Sequence, residues 1–249
     1  MSPFSHSPQS LSVPMARGEI LPYLRKVYFF FTAGVVSAAL GALIALYGGM
    51  PIQMAVPGGM LTVPPLVAFG MQHWFLSLIG YIAIFFGATY LRRVPGLNLL
   101  ALIGYTVATG IFLAPALFVA QLVASSGSSL DPSPVRDAFL LSGGAFAGLT
   151  TYVFLSRRDF SFIGGAISMG LFVLLGATLL SFFFHSQAFD LAIASVGVIV
   201  FCGYILFDTS KILRDQEEDD AIGAALRLFL DVVNLFLFLL RILSSSRQR

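Results

Sequence analysis

The chain has 249 residues, 57% of them hydrophobic and only 10% charged. A soluble domain carries about 25% charged residues, so the composition excludes a soluble enzyme and a disordered chain. A net charge of +2 with scattered basic residues also excludes a nucleic-acid binder, and what remains is a polytopic membrane protein.

Residues 1–20 are rich in Ser and Pro and lack the apolar core of a signal peptide. They read as a flexible tail. A membrane-crossing helix needs about 20 mostly apolar residues. The candidates, in chain order, are 27–49, 66–91, 97–122, 136–156, 160–184 and 189–213, followed by a seventh apolar stretch at 221–243. Residues 21–243 thus form a transmembrane domain, and 244–249 a short C-terminal tail. Gly144 and Gly148 in the fourth segment have the spacing that brings membrane helices close together. Pro115 predicts a kink in the third. His73 beside Trp74 and His185 beside Phe184 read as interfacial residues, not metal ligands. The one cysteine, Cys202, excludes an intrachain disulfide and a cysteine-based zinc site, and reads as core filler.

Lys and Arg in short loops set orientation. Arg17, Arg25 and Lys26 precede the first segment, Arg92 and Arg93 follow the second, Arg157 and Arg158 the fourth, and Lys211 and Arg214 the sixth. The loop 50–65 carries no charge, and 123–135 carries only Asp131. The alternation puts the N-terminus in the cytoplasm, with Arg136 alone against the trend. If the seventh stretch crosses, Arg241, Arg247 and Arg249 lie outside. Between Arg227 and Arg241 lie 13 residues, about 20 Å of helix, less than the roughly 30 Å of hydrocarbon. The stretch is either a short helix sheathed by the other six or a re-entrant hairpin.

Ionisable groups within a bilayer are costly and mark functional paths. Asp208 and Asp231 are the two candidates. Arg227, Asp231, Asn234 and Arg241, at offsets 0, 4, 7 and 14, fall within about 80° of one helical face, a polar stripe that points into a bundle or a water-filled cavity. Asp208 lies three residues before Lys211, and Asp231 four after Arg227. If both basic side chains reach for the interface, the carboxyls lie at matched depth and face each other. Two carboxylates in contact cannot both ionise easily and titrate as a unit, which makes a pH sensor. They are also hard oxygen ligands suited to calcium, with Asn234 as one further oxygen. The competing reading pairs each aspartate within its own helix, with Lys211 and with Arg227. The run Glu217-Glu218-Asp219-Asp220 reads as a solvated turn. Arg92 and Arg93 read as topology determinants, and an arginine there has the option of latching onto Asp208.

Asp208-Thr209-Ser210 and the string LRLFLDVVNLFLFLLRIL at 226–243 resemble the transmembrane Bax-inhibitor-motif family, including its bacterial members. SRRDFS at 156–161, LPYLRKVYFFF at 21–31 and the basic pair after the second segment also resemble the family's strings. The resemblance spans about 20–243. It implies an all-α seven-helix bundle whose short C-terminal helix sits centrally inside six others. It also implies a calcium-permeable leak gated by pH through an aspartate pair, here Asp208 and Asp231. Cell-protective roles in eukaryotes and contact with a membrane protease in some bacteria go with it. Two positions depart from the family: Ser210 replaces Gln, and Arg227 stands where Ser or Thr is usual. A cation there favours the charged carboxylate, so Arg227 is expected to weaken or shift the switch and to repel calcium.

The expected function is therefore a pH-responsive calcium leak channel, not an enzyme, with no cofactor and with the bilayer and calcium as partners. The alternative is a non-conducting regulator that binds another membrane protein. An intramembrane aspartyl protease ranks below both, because Phe207 precedes Asp208, Leu228-Phe229-Leu230 precedes Asp231 and no Pro follows. The expected location is multi-pass in a bacterial inner membrane.

Overall fold

The computed structural model describes residues 17–56, 59–92, 94, 96–124, 133–181, 183, 186–214 and 221–246. The acidic run 217–220, Asp131, Arg93, Phe184, His185, Arg247 and Arg249 lie outside the described residues. The elements in order are α1 (Arg17–Tyr47), β1 (Ile52–Val56), β2 (Gly59–Val63), α2 (Pro65–Gln72), α3 (Trp74–Leu91), α4 (Asn98–Ala124), α5 (Ser133–Ser156), a 3-10 turn (Ser161–Ile163), α6 (Gly164–Ser181), α7 (Gln187–Arg214) and α8 (Ala221–Ser246). Among the described residues, seven helices are long and apolar enough to cross a membrane. In hydrocarbon each backbone N–H and C=O must be satisfied within the chain, which a helix does by itself.

The seven apolar segments correspond to α1 and α3–α8, with three differences. The expected helix 66–91 is broken at His73, whose backbone (φ −116°, ψ 42°) ends α2 and starts α3. Only the 18 residues of α3 form the crossing. The uncharged loop 50–65 holds an antiparallel hairpin in which Ile52 faces Val63 and Val56 faces Gly59. The signal was the Pro57-Gly58-Gly59 break between two short apolar strings. Val63, Met54 and Leu61 tuck the hairpin against Ala45, Val67 and Phe118. Finally, α1 starts at Arg17. Arg25 and Lys26 lie inside it and face outward while Tyr23 and Val27 are buried; an apolar-run criterion stops at charges that a helix carries into solvent.

The re-entrant hairpin is excluded: α8 is one continuous helix of 26 residues. Its apolar middle is short, but the helix runs past Arg227 and Arg241 at either end. It packs chiefly on α1, α4, α5 and α7, while α3 lies outside on α4 and α6 outside on α7. The helix α4 also continues through Pro115.

The most extensive interhelical contact joins α1 and α4. Gly41 and Gly110 let the two backbones meet: a Cβ on Gly110 would lie 1.9 Å from the Ala38 carbonyl oxygen, and one on Gly41 2.2 Å from that of Val107. The expectation for Gly144 and Gly148 is corrected, since both are exposed and a Cβ on either would touch nothing within 4 Å. Their spacing matches close packing, but their face of α5 points away from the bundle. The α3–α4 contact is aromatic: Tyr81 stacks on Phe112 at 4.5 Å, and its hydroxyl meets that of Tyr105 at 2.6 Å.

The basic residues explain themselves against this frame. Most cluster at the end where α3, α5 and α7 finish. Among the described residues, Arg136 and Arg241 lie at the other end. Each is matched by an acid, Arg136 by Asp137 at 3.1 Å and Arg241 by Asp190 at 2.6 Å. Asp159, in the link before α6, accepts the Ser161 backbone N–H at 2.8 Å and pairs with Arg214 at 2.6 Å. The Ser161 bonds, helped by Arg214, hold its carboxyl below the usual range. Whatever it contributes is present above the ordinary carboxylate value and lost as pH falls through the lowered one.

Gly110→Ala is expected to destabilise the folded protein by about 1–3 kcal/mol, because backbone must move to admit the methyl group. Gly144→Ala is expected to stay within about 0.5 kcal/mol of the parent. Unfolding monitored in detergent compares the two directly.

Candidate functional site

The site is built on the antiparallel pair α7 and α8. Asp208, Thr209 and Ser210 form one buried strip of α7, at 5%, 0% and 2% exposure. Asp231 on α8 is 6% exposed. These helices bury polar residues because the opposing helix face supplies the partners that lipid cannot.

The two carboxyls are in hydrogen-bond contact with each other. The Oδ2 of Asp231 is shielded from solvent without a hydrogen-bond partner among the described residues. Arg227 crosses from α8 to α7, placing its Nε 3.7 Å from Asp208 Oδ1. Lys211 lies exposed one turn beyond Asp208. The two carboxyls thus face each other across α7 and α8, and the aspartates do not pair solely within their own helices. Asn234, one turn further along α8, donates its amide to the Leu230 carbonyl at 2.7 Å, in its own helix. Arg92 ends α3 half-buried, with its backbone N–H on the Ala88 carbonyl.

Three buried hydroxyls that meet one another at Thr209, the residue after Asp208, went unnoticed in the sequence. Tyr28 of α1 reaches into the bundle, where its hydroxyl lies beside those of Thr150 on α5 and Thr209 on α7. All three oxygens are shielded from solvent. Thr209 had a signal, being the neighbour of Asp208. Tyr28 and Thr150 had none, since single hydroxyls in apolar segments are common and only the packing of α1, α5 and α7 unites them.

Calcium takes six to eight oxygens. Two carboxyl groups, one of them facing an arginine, offer fewer. Among the described residues no group of three or more His, Cys, Asp or Glu is placed to hold a metal.

A seven-helix membrane protein with a buried carboxyl pair on its last two helices is the class that fold and site define. Residues 22–248 match the family described as inhibitor of apoptosis-promoting Bax1, and the chain belongs to that family. It is 32% identical over 235 residues to an uncharacterized protein of Campylobacter jejuni, covering 93% of this chain and 91% of that one. It is 32% identical over 230 residues to Bax inhibitor 1 of Schizosaccharomyces pombe, with 90% and 76% covered. A Golgi anti-apoptotic protein of vaccinia virus is 33% identical over 173 residues, with 70% and 69% covered.

Replacing Asp208 by Asn and Arg227 by Met, singly and together, is expected to give a coupling of about 1 kcal/mol in unfolding. That is modest for residues in contact, because the Arg227 side chain is 39% exposed. A coupling near zero would mean the two charges act independently.

Proposed function

We propose that this protein is a pH-responsive, calcium-permeable leak channel in which Asp208 and Asp231 act as both sensor and cation site. The observation that carries the proposal is the carboxyl–carboxyl contact between α7 and α8. Two carboxyls in contact exchange protons as one unit, so a change in pH alters the charge holding two central helices together. With one proton shared, the contact is a hydrogen bond and the bundle end is closed. With both ionised, the carboxylates repel and the same oxygens become cation ligands. Arg227 sets how far this repulsion goes, since its positive charge offsets one of the two negatives.

The protein acts here as a conduit, without a cofactor and without catalysing a reaction. Its N-terminus and the aspartate pair lie on the cytoplasmic side of a bacterial inner membrane, in keeping with the basic residues clustered at that end. The second reading is a regulator that binds another membrane protein. It is favoured by the name of the vaccinia relative, an anti-apoptotic protein, which describes protection, not transport. The exposed Gly143, Gly144 and Gly148 on α5 give a flat face for a helix partner.

Calcium flux into proteoliposomes, measured from acidic to alkaline pH, tests the proposal. The parent protein is expected to leak in a pH-dependent manner. Asp208→Asn and Asp231→Asn are expected to flatten that dependence, and Arg227→Ser to displace its midpoint. Unchanged flux in both asparagine variants would remove the aspartates from the pathway. No flux at any pH from folded protein would leave the regulator as the reading.

A further inference from the structure

At the end of the bundle away from the aspartate pair, α7 begins and α8 finishes beside the end of α6. A cleft of about 530 Å³ opens there, lined by Ser181, Gln187, Asp190, Arg241, Ser244 and Ser245. Ligand sites commonly enclose about 300–1,000 Å³. Arg241, which with Arg136 lies at the end poor in basic residues, is held here by Asp190 in the first turn of α7, Nη2 to Oδ1 at 2.6 Å. Both side chains remain partly open, at 36% and 41% exposure. Gln187 donates to the Ser245 hydroxyl at 3.0 Å and fixes the rim. The Ser244 hydroxyl is shielded from solvent with no hydrogen-bond partner among the described residues. Leu191 supplies an apolar wall.

The ion pair engages one guanidinium nitrogen and one carboxylate oxygen. A guanidinium has five N–H donors and a carboxylate two acceptor oxygens, so among the described residues most of both sets is still on offer in one cleft. An isolated anion would meet the charge of Asp190. An isolated cation would meet that of Arg241. A zwitterion meets neither penalty, since its negative group takes the arginine donors while its positive group takes the aspartate oxygens. Position narrows the class further. The cleft lies where three crossing helices end, at the level of lipid headgroups, and combines polar and apolar walls.

We propose that this cleft binds the headgroup of a zwitterionic phospholipid whose ammonium carries N–H donors. The phosphate accepts from the guanidinium donors of Arg241. The ammonium donates to Asp190, and the glycerol end runs out past Leu191 into the bilayer. A trimethylated ammonium has no N–H for the carboxylate and binds less tightly. An anionic headgroup lacks the ammonium and leaves Asp190 unmatched.

The test uses the full chain, purified in detergent, with thermal unfolding and native mass spectrometry. The protein is titrated with phosphatidylethanolamine, phosphatidylcholine, phosphatidylglycerol and soluble phosphoethanolamine. Phosphatidylethanolamine is expected to bind about tenfold more tightly than either other lipid, the scale of one charge-assisted hydrogen bond. The soluble headgroup is expected to give little stabilisation, and one matching the lipid would overturn the assignment to lipid. Asp190→Asn leaves Arg241 without its acid and is expected to reverse the preference toward phosphatidylglycerol. Arg241→Gln is expected to abolish the response to all three lipids. Equal binding of the three lipids by the parent, or a selectivity unchanged in Asp190→Asn, would overturn the proposal. The asparagine variant keeps the shape of the side chain, so the reversal can be read even if the arginine variant fails to fold.

Discussion

The constraint on which the rest depends is that α8 carries charge through the middle of the bundle. An aspartate inside hydrocarbon is tolerated only against a matching group. Asp231 finds Asp208 on α7, and Arg227 completes a trio of two acids and one base. One proton shared between the carboxyls makes that trio neutral. The arrangement requires α7 and α8 to be adjacent and antiparallel, which forces α8 inward, where α1, α4 and α5 cover its remaining faces. The central place of the last helix is thus a consequence of its polar stripe. A wholly apolar helix would have been equally stable on the lipid side.

Two kinds of contact hold the cover in place. The α1–α4 seam is a backbone contact at Gly41 and Gly110, rigid because no side chain intervenes. The α7–α8 seam is made by side chains with alternatives: carboxyls that can gain or lose a proton, and long arginines that cross from one helix to the other. Small residues at membrane-helix contacts permit close dispersion packing, whereas polar contacts depend on protonation and partners. The proposed pH response would therefore act on α7 and α8, against a frame set by α1 and α4.

What the sequence made legible follows the physics of each signal. Apolar length located the seven crossings, and polar residues on an apolar helix located Asp208 and Asp231, because both departures are costly and therefore rare. The break at His73 was hidden, since α2 and α3 are both apolar and only backbone geometry separates them. Spacing pointed to Gly144 and Gly148, but spacing does not say which face of α5 turns inward. The glycines that do pack, Gly41 and Gly110, lie far apart in sequence and are recognisable only when α1 and α4 are juxtaposed. The hydroxyls of Tyr28 and Thr150 escaped for the same reason.

The two ends of α8 obey one rule. At each end an arginine of α8 faces an aspartate of α7: Arg227 with Asp208, and Arg241 with Asp190. The arginines are 14 residues apart and the aspartates 18, about 21 Å and 27 Å of helix. Long arginine side chains bridge that difference. A slip of α8 along α7 by one turn would break both pairs at once and leave four charges unmatched at or within the membrane boundary. The register that brings Asp231 to Asp208 is therefore held from both ends.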